Sequence, residues 1–237
     1  MKQYRAKINF NNHFAYTFKL LYDAGRFLEL KKSQQEIITR VFDVMRSEYT
    51  EDLLGFVIFG SVASGEDTLE SDIDMLVIVN KIKEVDYDQR GLLKLGDINV
   101  IEKEKSEFEK EYLLGGELVL NSLMNGILLY DSWILRFMLM KPLPPPSWEA
   151  ITSQYERVGV FKKRLWALLK HEDNNELVKQ FKRYLIEKGR LMLLQKGVIP
   201  SSKHAISLKL KQLDKLAYSD LQRVNLKNVR GLVMKHA

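Results

Sequence analysis

The sequence predicts an α+β protein, in which a small mixed β-sheet with flanking helices is followed by an all-α helical bundle. Short apolar, β-branched runs alternate with helical patterns in the first part, whereas only helical patterns occur in the second. Four of the five prolines lie between the two parts, in the stretch 142–146, and exclude a continuous helix there. The net charge also changes, from −5 over residues 1–146 (18 Lys/Arg, 23 Asp/Glu) to +11 over residues 147–237 (19 Lys/Arg, 8 Asp/Glu).

These observations predict a first domain at 1–141, a proline-rich linker at 142–146 and a basic helical bundle at 147–237. In the first domain, a capping box of Ser33 and Glu36 predicts the start of a helix at 34–48. The other expected elements of this domain are strands at 53–59, 75–79, 97–101 and 127–130, and helices at 82–94, 104–124 and 131–139. The bundle should contain four helices, at 149–171, 175–196, 202–216 and 218–235. Residues 1–30 show no clear period.

The composition excludes several classes of protein. There is no cysteine, so disulfides, thiolate metal sites and cysteine nucleophiles are excluded, and a reducing, cytoplasmic location is expected. With 46% hydrophobic and 29% charged residues, the chain is typical of a folded soluble protein. The most apolar stretch, 113–135, is interrupted by charged and amide side chains, so we expect no membrane span.

One segment of the first domain carries a pattern that indicates chemistry. The strand at 53–59 ends in Gly60-Ser61, a short loop passes Gly65, and Ser71-Asp72-Ile73-Asp74 leads into the next strand. A Gly-Ser pair at a helix start exposes backbone amides and a hydroxyl to an anion. Two aspartates two residues apart in an extended chain point to the same face, where they could bind Mg²⁺ next to phosphate groups.

This pattern resembles the nucleotidyltransferase motif of the DNA polymerase β superfamily. Its residue sequence, Phe-Gly-Ser-Val-Ala-Ser-Gly-Glu-Asp, is most similar to that of the minimal nucleotidyltransferases. The segment from Asn125 to Asp131 is similar to a strand that often closes that domain. The resemblance covers roughly residues 34–140. The bundle is similar only in general layout to the helical domains of HEPN and kanamycin nucleotidyltransferase-like proteins.

The resemblance implies roles for individual residues. Gly60, Ser61 and Ser71 would bind the nucleoside triphosphate, with ATP as the expected donor, and Asp72 and Asp74 would hold one or two Mg²⁺ ions. A third acid on a neighbouring strand would accept the proton of the acceptor hydroxyl.

The third acid is not settled by the sequence. The family position falls at Asn99, and Asp97 lies two residues earlier on the same strand face. An amide cannot accept that proton as a carboxylate can. Either Asp97 is the catalytic base or the base is missing. In addition, Ser64 stands where the family often has arginine.

Two classes of function follow. The first is a Mg²⁺-dependent enzyme that transfers a nucleoside monophosphate to a hydroxyl of a protein, a small molecule or an RNA end. The second is a catalytically degenerate nucleotide-binding or antitoxin-like module that binds a protein or toxin partner. The basic bundle also leaves RNA binding and homodimerisation open as interactions.

Overall fold

The computed structural model describes residues 13–68, 71–87, 91–92, 98–171, 173–200 and 202–236. The chain divides into two compact units, Met1–Pro144 and Pro145–Ala237, and the division falls within the proline-rich stretch. Among the described residues, no helix is both long and apolar enough to cross a membrane.

The first unit contains a four-stranded mixed sheet. Its strands are β1 (Leu53–Phe59), β2 (Ile73–Val79), β3 (Ile98–Glu104) and β4 (Ile127–Asp131), in the spatial order β3-β2-β1-β4. β1 is antiparallel to both β2 and β4, whereas β2 and β3 are parallel. β1 and β2 are buried along almost their whole length. The α+β class and all four predicted strands are therefore confirmed.

Six helices of this unit, in its described residues, pack around the sheet. They are α1 (His13–Glu29), α2 (Lys32–Tyr49), α3 (Gly60–Ser64), α4 (Lys105–Leu113), α5 (Glu117–Asn125) and α6 (Ile134–Leu139), with a short 3₁₀ turn at Thr50–Asp52. The side chains of α2 that recur at helical spacing are fully buried and pack on β1 and β2: Ile38, Val41, Met45 and Tyr49.

Three local predictions for this unit are wrong. α2 begins before Ser33, and Gln34 Oε1 accepts the backbone N–H of Lys31 at 3.2 Å, in place of the predicted Ser33–Glu36 box. The single helix predicted at 104–124 is two helices, because the chain turns at Gly115, where φ is +68°. The helix predicted at 82–94 does not form over 82–87, and most of its remainder lies outside the described residues.

The N-terminal helix α1 has an inverted distribution of side chains. Its buried positions carry Tyr16, Lys19 and Asp23, which are 8%, 6% and 0% exposed. Its large apolar side chains, by contrast, are mostly exposed: Phe18, Leu21, Tyr22 and Leu28. The helix therefore contacts the sheet largely through polar groups, with Phe27 as an apolar exception, and this explains why its apolar period is ambiguous in the sequence.

The second unit is entirely helical in its described residues. It contains α7 (Trp148–Leu169), α8 (Asn174–Leu194), α9 (Lys203–Leu213), α10 (Lys215–Arg223) and α11 (Val229–His236). The first four of these helices each begin with a side-chain cap to a backbone amide, made by Ser147, Asp173, Ser202 and Asp214. The described bundle therefore has five helices rather than the four predicted, since the last predicted helix is interrupted after Arg223.

Candidate nucleotide site

The predicted site residues that the structure describes lie at one end of the sheet, where β1 ends and β2 begins. Phe59, the last residue of β1, pairs with Asp74 on β2. On the other side of β2, Asp74 pairs in register with Asn99 on β3. Asp74 therefore lies between the strand that leads into Gly60 and the strand that carries Asn99.

Gly60 leaves the space that the Asp74 carboxylate occupies. Its φ is +73°, a conformation that other residues rarely adopt. A Cβ atom at this position would lie 3.1 Å from Cγ of Asp74 and closer still to its Oδ2 atom. Glycine is thus required here for two independent reasons, the backbone conformation and the close approach of Asp74.

The turn that begins at Gly60 is the short helix α3, which is stabilised by local hydrogen bonds. The carbonyl of Ser61 accepts the N–H of Glu66 at 2.9 Å and the hydroxyl of Ser64 at 3.1 Å. Gly65 ends α3 in the left-handed conformation, with φ +70°. Ser64, at the position where the family often has arginine, therefore stabilises the turn by a local hydrogen bond.

The loop between this turn and β2 is tied to α2. The Asp67 carboxylate accepts hydrogen bonds from Lys31 Nζ at 2.6 Å and from Gln34 Nε2 at 3.0 Å. The hydrogen bond from Lys31 lowers the pKa of Asp67 below its ordinary value. Nothing in the sequence pattern pointed to this contact, because its partners are more than thirty residues apart.

Ser71 shapes the chain just before the two aspartates. Its Oγ accepts the backbone N–H of Thr68 at 2.9 Å and lies 3.2 Å from the Thr68 hydroxyl. Asp72 is exposed and Asp74 is half-buried. Ser71 therefore shapes a turn in this structure, whereas the aspartate that follows it faces solvent.

The neighbour of Asp74 on β3 is an amide rather than an acid. Asn99 Nδ2 donates to Asp74 Oδ1 at 2.9 Å. Asp97, the predicted catalytic base, lies outside the described residues. The structure therefore places Asn99 beside Asp74, where the resemblance to the family leads us to expect the third acid.

The donor set suits a single hard cation better than a closed metal cage. Two carboxylates separated by one residue, one exposed and one half-buried, are oxygen ligands of the kind that Mg²⁺ takes together with phosphate oxygens and water. Within the described part of the chain, no group of three or more His, Cys, Asp or Glu could enclose a metal.

Comparison with known proteins agrees with this geometry. Residues 38–124 match the family model "Nucleotidyltransferase domain", a range that includes Gly60, Asp72 and Asp74. No curated protein sequence matches the chain.

Two solved structures are distantly similar to most of the chain. A nucleotidyltransferase-like protein from Exiguobacterium sibiricum 255-15 has 12% identity and a TM-score of 0.44, over 81% of this chain and 71% of that one. A spectinomycin adenyltransferase from Enterococcus faecialis, solved with ATP and spectinomycin, has 14% identity and a TM-score of 0.47, over 84% and 97%. The match to the family model is limited to residues 38–124, and it is consistent with the predicted resemblance of this part of the chain to the DNA polymerase β superfamily.

Proposed function

We propose that the chain is a Mg²⁺-dependent nucleotidyltransferase that moves a nucleoside monophosphate from a nucleoside triphosphate, with ATP as the expected donor, to a hydroxyl group. The family match supports nucleotidyl transfer in general. The observation that supports the finer proposal is the approach of the Asp74 carboxylate, our candidate metal ligand, to Gly60 in the turn proposed to hold phosphate.

Each residue of the site has a proposed role. Gly60 and Ser61 would hold the triphosphate through backbone amides and a hydroxyl, and Ser71 would complete the nucleotide site from the turn before Asp72. Asp72 and Asp74 would hold Mg²⁺, which supplies positive charge that offsets the charge of the phosphates.

The proposed reaction breaks a phosphoanhydride bond of the nucleoside triphosphate and forms a phosphoester bond to the acceptor. The acceptor oxygen attacks the α-phosphorus, and the bond between this phosphorus and the pyrophosphate oxygen breaks, so that pyrophosphate leaves. The hydroxyl proton passes to a base, for which Asp97 is our candidate. Asp97 is two residues before Asn99, so in a continuing strand it would point to the same face.

The transfer can be tested with ATP labelled at the α-phosphate. The chain would be incubated with labelled ATP and Mg²⁺, first alone, then with RNA, and then with hydroxyl-bearing small molecules. The position of the label identifies the acceptor class, and released pyrophosphate measures turnover. Loss of transfer in Asp97→Ala but not in Asn99→Ala supports Asp97 as the base. Unchanged transfer in Asp97→Ala contradicts that role.

One observation favours a second candidate, a nucleotide-binding module without catalysis. The residue that pairs with Asp74 on β3 is Asn99, and its amide donates a hydrogen bond to the carboxylate. An amide in this place cannot accept a proton from an acceptor hydroxyl. Such a module would bind a nucleoside triphosphate and a protein partner, as an antitoxin-like protein does. Metal-dependent nucleotide binding without pyrophosphate release, for every acceptor class, would be the result expected of it.

A further inference from the structure

One arginine from outside the matched domain contacts the turn of the candidate site. Arg26 lies in α1, before residue 38, where the family match begins. Its Nη2 atom donates to the carbonyl of Ala63 within α3, and also to the carbonyl of Asn125 at the end of α5, at 2.8 Å. Its Nη1 atom donates to the carbonyl of Gly126 at 3.0 Å. A single guanidinium therefore joins α3 to the end of α5.

The position of this guanidinium is fixed by a buried aspartate. Asp23 is 0% exposed, and its Oδ1 accepts from Arg26 Nη1 at 3.2 Å. Its Oδ2 accepts from Lys19 Nζ at 2.7 Å and from the backbone N–H of Leu128, on β4, at 3.0 Å. Because Asp23 connects α1 to β4, the arginine is held relative to the sheet as well as to its own helix.

The helix α3 depends on contacts of this kind. It has five residues, and a helix this short is not stable by itself. The carbonyl of Ala63 lies in its last turn, where a cation is favourable because the backbone carbonyls point toward the C-terminus. Ala63, which Arg26 contacts, is three residues after Gly60. A shift at Ala63 would therefore move Gly60 against Asp74.

The end of α5 gives Arg26 a rigid anchor. A Cβ atom at Gly126 would lie 2.6 Å from Val57 Cγ1 and 2.8 Å from the carbonyl of Ile58. The chain at Gly126 is therefore packed tightly against β1, just before that strand reaches the site. The carbonyls of Asn125 and Gly126 are therefore held close to β1, and the guanidinium connects them to α3.

We propose that Arg26 is a positioning residue, which sets the Gly60–Ser61 turn relative to Asp74, and that α1 is thereby part of the scaffold of the nucleotide site. Its contact with the turn stands on the hydrogen bonds alone. Its consequence for nucleotide binding rests on the proposed function of the turn.

Amide hydrogen exchange tests the contact without any substrate. Arg26→Lys keeps the charge but cannot donate to three carbonyl groups with the geometry of the planar fork. We expect the amides of residues 61–66 to exchange about tenfold faster in this variant, with those of β2 unchanged. Arg46→Lys, at an exposed position on α2, is the matched control. Exchange at 61–66 that stays as in wild type, or that rises equally in β2, would overturn the positioning role.

Calorimetry with inorganic tripolyphosphate and Mg²⁺ tests the consequence. We expect Arg26→Lys to weaken tripolyphosphate binding about tenfold, whereas binding of Mg²⁺ alone stays unchanged, because the two aspartates are on β2 and its preceding turn. Equal tripolyphosphate affinity in the variant and in wild type would overturn the link to the site. If wild type itself does not bind tripolyphosphate, the proposed function fails, and the exchange experiment still decides the role of Arg26.

Discussion

The two units each contain an aspartate in a distinctive setting, and the settings differ. Asp220 on α10 is fully buried, and its carboxylate contacts Lys235, His236 and Arg223 of the same unit. Asp74 on β2 is only half-buried, lies against the Cα atom of a required glycine and has an exposed aspartate two residues before it. The first carboxylate is neutralised within the fold, which is typical of a structural role. The second is placed where a cation from solution can reach its neighbourhood.

The largest effect is expected from a substitution that disturbs the close approach of Asp74 to Gly60. In Gly60→Ala the added methyl group would clash with the Asp74 carboxylate, and the backbone would be strained at φ +73°. We expect at least about a 100-fold loss of metal-dependent nucleotide binding, since a displacement of this kind is costly in a preorganised site. Titration calorimetry measures it.

Substitutions of two further glycines distinguish backbone strain from the steric clash with Asp74 as the cause of this loss. Gly65→Ala has the same backbone strain, with φ +70°, but its Cβ would meet nothing within 4 Å, whereas Gly25→Ala has neither problem. We expect binding to fall from Gly25→Ala through Gly65→Ala to Gly60→Ala. Equal binding in the last two variants contradicts the role of the close approach to Asp74.

A second large effect concerns the bundle. Asp220→Asn removes the charge that faces the cationic side chains Arg223 and Lys235, and we expect a loss of about 3 kcal/mol in the free energy of unfolding. This loss can be measured by urea unfolding, with hydrogen exchange of residues 203–236 as the probe of the bundle. Glu156→Gln, an exposed position on α7, is the matched control. The same stability in both variants would contradict a structural role for Asp220.

A smaller effect should follow from adding a charge at the site. Asn99→Asp puts a third carboxylate beside Asp74, and affinity for a hard cation rises with the number of charged ligands. We expect Mg²⁺ to bind about tenfold more tightly. Isothermal titration with Mg²⁺ alone measures this, and weaker binding in the variant argues against a cation site at Asp72 and Asp74.

A further expected effect is a difference in acid stability. Burial opposes ionisation of Asp220, but hydrogen bonds from His236, Lys235 and Arg223 outweigh it and hold the pKa at about 2, below the ordinary 3.8. Because the folded-state pKa is lowered, this contribution to stability is present above about pH 4 and is lost as the pH falls towards 2. The stability of wild type should therefore fall more steeply than that of Asp220→Asn over this range. Parallel curves from urea unfolding would contradict the assignment.

The two central strands of the sheet could be predicted from the sequence because they are buried on both faces. The runs in β1 and β2 are almost continuously apolar, and such runs bounded by polar turns have few other interpretations. The motif residues next to them, Gly60 and the two aspartates, could be found for the same reason. Their positions in the chain follow directly from the ends of the strands.

Three other features could not be predicted, each for a physical reason. α1 buries Lys19 and Asp23 and exposes apolar side chains, so its hydrophobic period is ambiguous and does not identify the face that contacts the sheet. The break between α4 and α5 depends on the left-handed conformation of Gly115, which the apolar pattern around it hides. The Arg26 contacts with Ala63 and Asn125 join segments 37 and 99 residues apart, and a single sequence contains no signal for such pairs.

The most direct test of the central claim is calorimetric titration of each nucleoside triphosphate, with and without Mg²⁺, into wild type and Asp72→Asn/Asp74→Asn. Glu36→Gln/Asp43→Asn, which removes two exposed carboxylates from α2, is the matched control. The proposed site predicts Mg²⁺-dependent binding that is lost in the first variant and retained in the control. Binding that survives in Asp72→Asn/Asp74→Asn, or no binding to folded wild type, would contradict it.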